Sequence, residues 1–190
     1  MIITISGTPG SGKSTLAKML AAKLNYPYLY MGGFRREVAR RHGLTLAEFN
    51  SVGETEAWTD LEADDYLRTE VAKQKNAIVD SRLAFHFIPN SLKIFVAVAE
   101  PVGAERIYGA LQKNPAKRNE GLSLNSSTEV ATANRQRIAS DRLRYLKYYN
   151  VDYLEPKNYD LVVDTTNLTP EQGFTVLWQF VVKHQTVPTV

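Results

Sequence analysis

The chain has no cysteine, which excludes a disulfide framework and any thiolate-held metal, and fits a reducing compartment. Its only three histidines, His42, His86 and His184, share no metal-ligand spacing. No apolar run approaches the roughly 20 residues that a membrane span needs. No low-complexity linker or internal repeat is visible, and Met1-Ile2-Ile3 already reads as a first strand, which leaves no room for a leader. A cytoplasmic protein without membrane contact is the expectation, organised over its 190 residues as a single domain, 1–190, and a monomer. Charge of one sign is also scarce, with a net of only +3. The cations gather around 35–41, 113–118 and 135–147, and the first and last groups hold arginines placed to look inward. A small anionic ligand accounts for these groups better than a nucleic acid does.

What is present is a phosphate-binding loop. Residues 7–14 read Gly-Thr-Pro-Gly-Ser-Gly-Lys-Ser, a complete G-x-x-x-x-G-K-[ST] pattern. It follows the apolar run Ile2-Ile3-Thr4-Ile5 and precedes the helical pattern Leu16, Leu20, Leu24, the strand–loop–helix context that the motif requires. Glycine at 7, 10 and 12 lets successive N–H groups converge on phosphate oxygens, and the following helix adds its positive N-terminal end. The expected triphosphate contacts are Gly7, Thr8, Pro9, Gly10, Ser11, Gly12, Lys13, Ser14 and Thr15. Lys13 would reach the β- and γ-phosphates of ATP and carry charge in catalysis, while the Ser14 hydroxyl would sit on Mg²⁺. As a loop residue, Lys13 is expected to be solvated.

Strand and helix alternate along the chain. Short β-branched runs at 2–5, 28–30, 77–80, 92–98 and 159–164 alternate with helical stretches. These stretches are 13–24, 34–42, 46–50, about 54–75, 101–111, 128–149 and 170–183. This predicts an α/β fold: a five-stranded parallel sheet with helices on both faces. Pro101 and Pro170 suit first helical positions, and 186–190 reads as a frayed tail. The segment from about 31 to 75 reads as an acceptor-binding helical part. The polar, turn-rich stretch at about 110–128, with Lys113, Lys117 and Arg118, reads as a lid that excludes water or as an ordinary tolerated insertion.

Phosphoryl transfer to another phosphate needs arginine forks to neutralise the acceptor. Arg36 follows the second strand, and Arg82 lies two residues past Asp80, at the carboxyl end of the third, where ligands of open α/β sheets bind. Arg137, Asp141 and Arg144 are spaced four and three apart, on one helix face. Asp80 could order Mg²⁺ through water or cap its turn. Asp60 and Asp64, four apart, read as a solvated face with a possible base-reading role, and Tyr145, Tyr148, Tyr149 and Tyr153 read as core.

These residues together resemble the nucleoside monophosphate kinases, most closely the short, archaeal-type cytidylate kinases. The resemblance rests on Ile2–Ser6 with the phosphate loop, the Gly32–Phe49 segment, Val79-Asp80-Ser81-Arg82-Leu83-Ala84, Arg137–Tyr145 and Tyr159–Val162. It implies transfer of the ATP γ-phosphate to CMP or dCMP with Mg²⁺, and a mobile lid. By this resemblance Arg36, Arg82, Arg137 and Arg144 bind the acceptor phosphate or stabilise transfer, Arg137 catalytically, and Asp141 contacts the sugar or orients those arginines. Three features depart from the family: Gly33 where an acid is common, Ser81 for a glycine, and an insertion at about 109–118. The alternatives are a similar kinase acting on AMP, UMP or a small hydroxyl metabolite, and a non-catalytic ATP-binding regulator.

Overall fold

Five short apolar runs pair into the sheet of the computed structural model, which describes residues 1–113 and 124–185. They are β1 (Ile2–Gly7), β2 (Tyr28–Tyr30), β3 (Ala77–Asp80), β4 (Leu92–Ala97) and β5 (Leu161–Asp164). Their order is β2-β3-β1-β4-β5, and every neighbouring pair is parallel. The register sets Ile5 beside Asp80 and Gly7 beside Val96. After β3 the chain crosses to the other side of β1, so a crevice opens at the carboxyl ends of the central strands.

Alternation along the strands supplies a core on each face. Ile3 and Ile5 of β1 pack with Ile78, Ile94 and Val96 against Leu16 and Leu20 of α1 (Lys13–Leu24) and Leu177 and Val181 of α8 (Pro170–Gln185). On the opposite face Ala77 and Val79 meet Met31, Leu67 and Val71, and Phe95 meets Leu83, Tyr145 and Tyr153. Tyr145, Tyr149 and Tyr153 therefore belong to the packing around α7 (Ser127–Tyr149), as read from the sequence, whereas Tyr148 lies outside that cluster and its hydroxyl donates to the Gly53 carbonyl at 3.0 Å. Pro170 opens α8, whereas Pro101 is the second residue of α6 (Glu100–Lys113).

The acceptor-side helices differ from expectation. The helix expected from 34 begins three residues earlier, as α2 (Met31–Arg41), because Met31 is drawn into the core below β3. A capping box between Thr45 and Glu48 starts α3 (Leu46–Thr55), which runs five residues past its expected end. The long helix expected over 54–75 is broken. Glu56 is extended and ends α3, and the chain restarts as α4 (Trp58–Tyr66). That break lays the Trp58 ring against His42 and Phe49, at 4.6 and 5.6 Å between centroids. A π-helical turn, Leu67–Val71, then leads towards β3. A short α5 (Ala84–Phe87) and a 3₁₀ turn at Pro156–Asn158 were not anticipated, being too short to show a period.

Residues 114–123, with Lys117 and Arg118 of the lid expectation, lie outside the described residues, as do 186–190. Among the described residues no helix is long and apolar enough to cross a membrane.

Candidate active site

Residues 7–15 wrap one end of a cleft of about 510 Å³ at the carboxyl edge of the sheet, a size ordinary for small-molecule sites. Gly10 has φ +79°, and a Cβ there would lie 2.2 Å from the Gly103 carbonyl oxygen of α6. The loop can pass α6 only because both positions are glycine. Gly12, at φ +83°, is the left-handed residue from which α1 starts. The Thr8 N–H donates to the Val96 carbonyl at 3.1 Å, and the Thr165 hydroxyl donates to the Ser11 carbonyl at 2.9 Å. The loop is thus pinned to β4 and to the segment after β5.

Lys13 is not solvated as expected. Its Nζ lies 2.5 Å from Asp80 Oδ1 and 3.4 Å from Ser14 Oγ, and the Asp80 side chain is fully buried. The Tyr28 hydroxyl donates to the other Asp80 oxygen at 2.9 Å. Burial draws the Lys13 ammonium below its usual range, although Asp80 opposes the shift. The register that sets β3 beside β1 produces this pair. Asp80 therefore holds the loop lysine within the cleft beside the Ser14 hydroxyl.

The opposite half of the cleft is lined by Arg35 and Arg36 of α2, Arg82 after β3 and Arg137 of α7. Behind it runs a chain of alternating charge. Arg35 pairs with Asp60, Asp60 accepts two bonds from Arg144 Nη1 at 2.7 and 2.6 Å, Arg144 pairs with Asp141, and Asp141 lies 3.1 Å from Arg82 Nε. Arg35 and Arg82, at the ends, line the cleft; Arg144 has no exposed surface and neither it nor Asp141 lines the cleft. Burial pushes the Asp141 carboxyl up, but Arg82 and Arg144 outweigh it and hold the group below the usual carboxylate range. Arg144, expected at the acceptor, thus stands behind the cleft wall, whereas Arg137 lines the cleft. The Arg144 guanidinium is spent on Asp60 and Asp141, and the spacing that put Arg137 and Arg144 on one helix face could not show that only Arg137 reaches the cleft.

Two of the family departures acquire a reason. A Cβ on Gly33 would come within 2.9 Å of the Tyr30 ring, which fills the space a side chain would need. Tyr30 Oη in turn accepts from Arg36 Nη1 at 2.7 Å. Ser81 has no left-handed backbone and its hydroxyl accepts the Leu83 and Ala84 N–H groups at 3.2 and 3.3 Å, so it caps the turn that presents Arg82.

Reading the sequence missed Arg35, Asp60, Asp64 and Arg106 as cleft residues. Arg106 of α6 donates to the Thr165 hydroxyl and carbonyl at 3.2 and 2.8 Å, closing the loop end of the cleft together with Leu168 and Thr169. Nothing in the sequence marked it. Asp60 and Asp64 are buried rather than solvated. Their i, i+4 spacing was visible, but the packing of α7 over them was not.

Asp64 accepts a hydrogen bond from the Tyr149 hydroxyl, and burial pushes its carboxyl up to about 6 against that bond. Its folded pKa exceeds the unfolded value, so the stability carried by the neutral form is complete below about pH 4 and lost as pH rises through about 6. Asp64→Asn is expected to melt with the wild type at pH 4 and about 4 °C above it at pH 7.5. This corresponds to about 1–2 kcal/mol after allowing for solvent screening. Thermal melts at the two pH values check it, and an identical gap at both would dismiss the shift.

Fold and loop together define a phosphate-loop protein of kinase architecture. The shikimate kinase of Bacteroides thetaiotaomicron superposes with a TM-score of 0.63 over 96% of this chain and 98% of that one, at 17% identity. The chain belongs to the cytidylate kinase-like family, whose profile matches residues 2–167. The cytidylate kinase of Methanosarcina barkeri is 33% identical over 93% of this chain and 94% of its own length. An S-adenosylmethionine-dependent nucleotide dehydratase of Lacinutrix mariniflava is 35% identical over 90% of this chain, which spans only a third of that relative.

Proposed function

We propose that the protein transfers the γ-phosphoryl group of ATP to a nucleoside monophosphate, CMP or dCMP, releasing ADP and the diphosphate. The observation that carries this reading is the cleft itself, with a lysine-bearing phosphate loop at one end and Arg35, Arg36, Arg82 and Arg137 lining the other. Two anions that repel each other in water can be brought together there. The archaeal cytidylate kinase named above, matched along nearly its whole length, supports cytidine as the base. The dehydratase name belongs to a protein about three times as long as the matched segment.

A non-bridging oxygen of the acceptor phosphate attacks the γ-phosphorus while the bond to the β–γ bridging oxygen breaks, and ADP carries that electron pair away. The acceptor is already an anion at neutral pH, so no general base is required, and catalysis rests on alignment and charge stabilisation. Arg82, held by Asp141, and Arg137 would bind the acceptor phosphate. Lys13 would exchange its Asp80 partner for the phosphates. Mg²⁺ suits the hard oxygen donors beside the loop, the Ser14 hydroxyl and, through water, the Asp80 carboxylate. When bound, it would neutralise charge on the β- and γ-phosphates.

The test is an acceptor panel in a coupled assay of ADP release. CMP or dCMP is expected to stimulate turnover well above AMP, UMP, GMP and shikimate. A best rate with AMP would reassign the base while keeping the chemistry. Tight ATP binding with no acceptor-stimulated turnover would replace the enzyme by a nucleotide-binding regulator.

A further inference from the structure

The cleft is lined by three carboxylates, and they are not in equivalent positions. Asp60 is saturated by Arg35 and Arg144. Asp80 holds Lys13 and the Tyr28 hydroxyl. Asp64 is as buried as the others, 4% exposed, yet it is in no ion pair among the described residues and accepts only the Tyr149 hydroxyl, on Oδ2. A buried carboxyl without a cation is costly and needs hydrogen-bond donors for its remaining lone pairs. Ala63 and Leu67, neighbours of Asp64 on the helix, line the cleft, as do Met31 and Leu83, while Asp60, Arg68 and Arg35 act on Asp64 through charge.

Position gives this pocket its scale. Asp64 sits one turn beyond Asp60 on the same face of α4, about 6 Å further along the helix axis. Asp60 holds Arg35, which lines the acceptor half, so Asp64 lies one helical turn beyond that arginine's anchor. Leu67, which lines the same cleft, is the first residue of the π-helical turn that follows; such turns are frequent at functional sites. Tyr149 crosses from α7 and fixes the carboxyl from the side.

Resting on the kinase reading above, we propose that Asp64 reads the acceptor's base by accepting a hydrogen bond from its exocyclic amine. The apolar residues would cover the ring faces while Oδ1 takes the amino hydrogen. A keto oxygen at the same place would set acceptor against acceptor and leave both unpaired. A pocket built around a hydrogen bond rejects the analogue lacking it far more strongly than an apolar pocket rejects a change of size. Asp64 thus selects an amino pyrimidine such as cytosine over uracil.

The experiment compares wild type, Asp64→Asn and Asp64→Ala with CMP and UMP as acceptors, in both steady-state kinetics and calorimetric binding. An asparagine side chain can present either its oxygen or its NH₂, so Asp64→Asn is expected to reduce the CMP-to-UMP ratio of kcat/KM by roughly 30-fold or more, with UMP gaining. Asp64→Ala should lower kcat/KM for CMP about tenfold without improving UMP. The KM for ATP should stay constant in both variants, a separation that a merely structural role would not produce. A wild type that prefers CMP, with the same ratio in Asp64→Asn, overturns this inference alone, as does a wild type that prefers UMP. A wild type that neither binds nor phosphorylates any nucleoside monophosphate overturns the kinase reading itself, and this inference with it.

Discussion

Lys13→Met is expected to lower kcat for phosphoryl transfer by on the order of 10²- to 10³-fold, the loss that follows removal of one preorganised charge donor. The ammonium would act on charge that spreads over the transferring group, in a cleft where it is largely withdrawn from water. The structure adds a second consequence. Lys13 is the cation that neutralises the buried Asp80, so its removal leaves a carboxylate supported, among the described residues, by the Tyr28 hydroxyl. A stability loss of about 1–3 kcal/mol should accompany the kinetic loss. Adding Asp80→Asn should recover much of the stability and none of the turnover. Circular dichroism and thermal melts, set beside the ADP-release assay, separate the two effects. Near-normal turnover in Lys13→Met would sink the assignment of phosphoryl transfer.

Arg144→Met should be the most destabilising single change in the acceptor half. Arg144 is fully buried and, among the described residues, links Asp60 to Asp141 in the alternating chain. Breaking a buried ion pair costs about 3–5 kcal/mol; here two carboxylates lose their shared cation and its hydrogen bonds, and each keeps one arginine, Arg35 or Arg82. The melting temperature should fall by about 10 °C. Arg82 and Arg35 would then be held by carboxylates no longer fixed from behind, so KM for the acceptor should rise as well. Arg142, two residues away on the same helix, supplies the contrast. It pairs with Asp152 at 2.6 Å but is about half exposed, and Arg142→Met should leave the melting temperature nearly unchanged. Equal melting temperatures for the two variants would show that the buried chain contributes nothing special.

The difference between these two arginines bears on what could be read in advance. Arg137, Asp141, Arg142 and Arg144 all sit in one charged stretch of α7, and helical spacing correctly puts Arg137, Asp141 and Arg144 on one side of the helix. Spacing carries no information about depth. Whether a face looks into a cleft or into a wall depends on α4, whose Asp60 and Asp64 come from 73 to 84 residues earlier in the chain. The same limit explains the broken helix at 56–57. Its polar pattern continues through the break, and only the packing of Trp58 on Phe49 and His42 ends one helix and begins the next.

The sequence by itself determined the phosphate loop, the parallel five-stranded sheet and the family. These rest on local signals: glycines at fixed offsets, β-branched runs of strand length, and a lysine and serine at the start of a helix. Tertiary structure alone decided how the charges are partnered. It set Lys13 against Asp80, placed Arg144 behind the cleft wall between Asp60 and Asp141, brought Arg106 to the mouth of the loop, and left Asp64 in no ion pair among the described residues. A charge takes its role from the burial and partners it meets across the fold, and elements distant along the chain supply both.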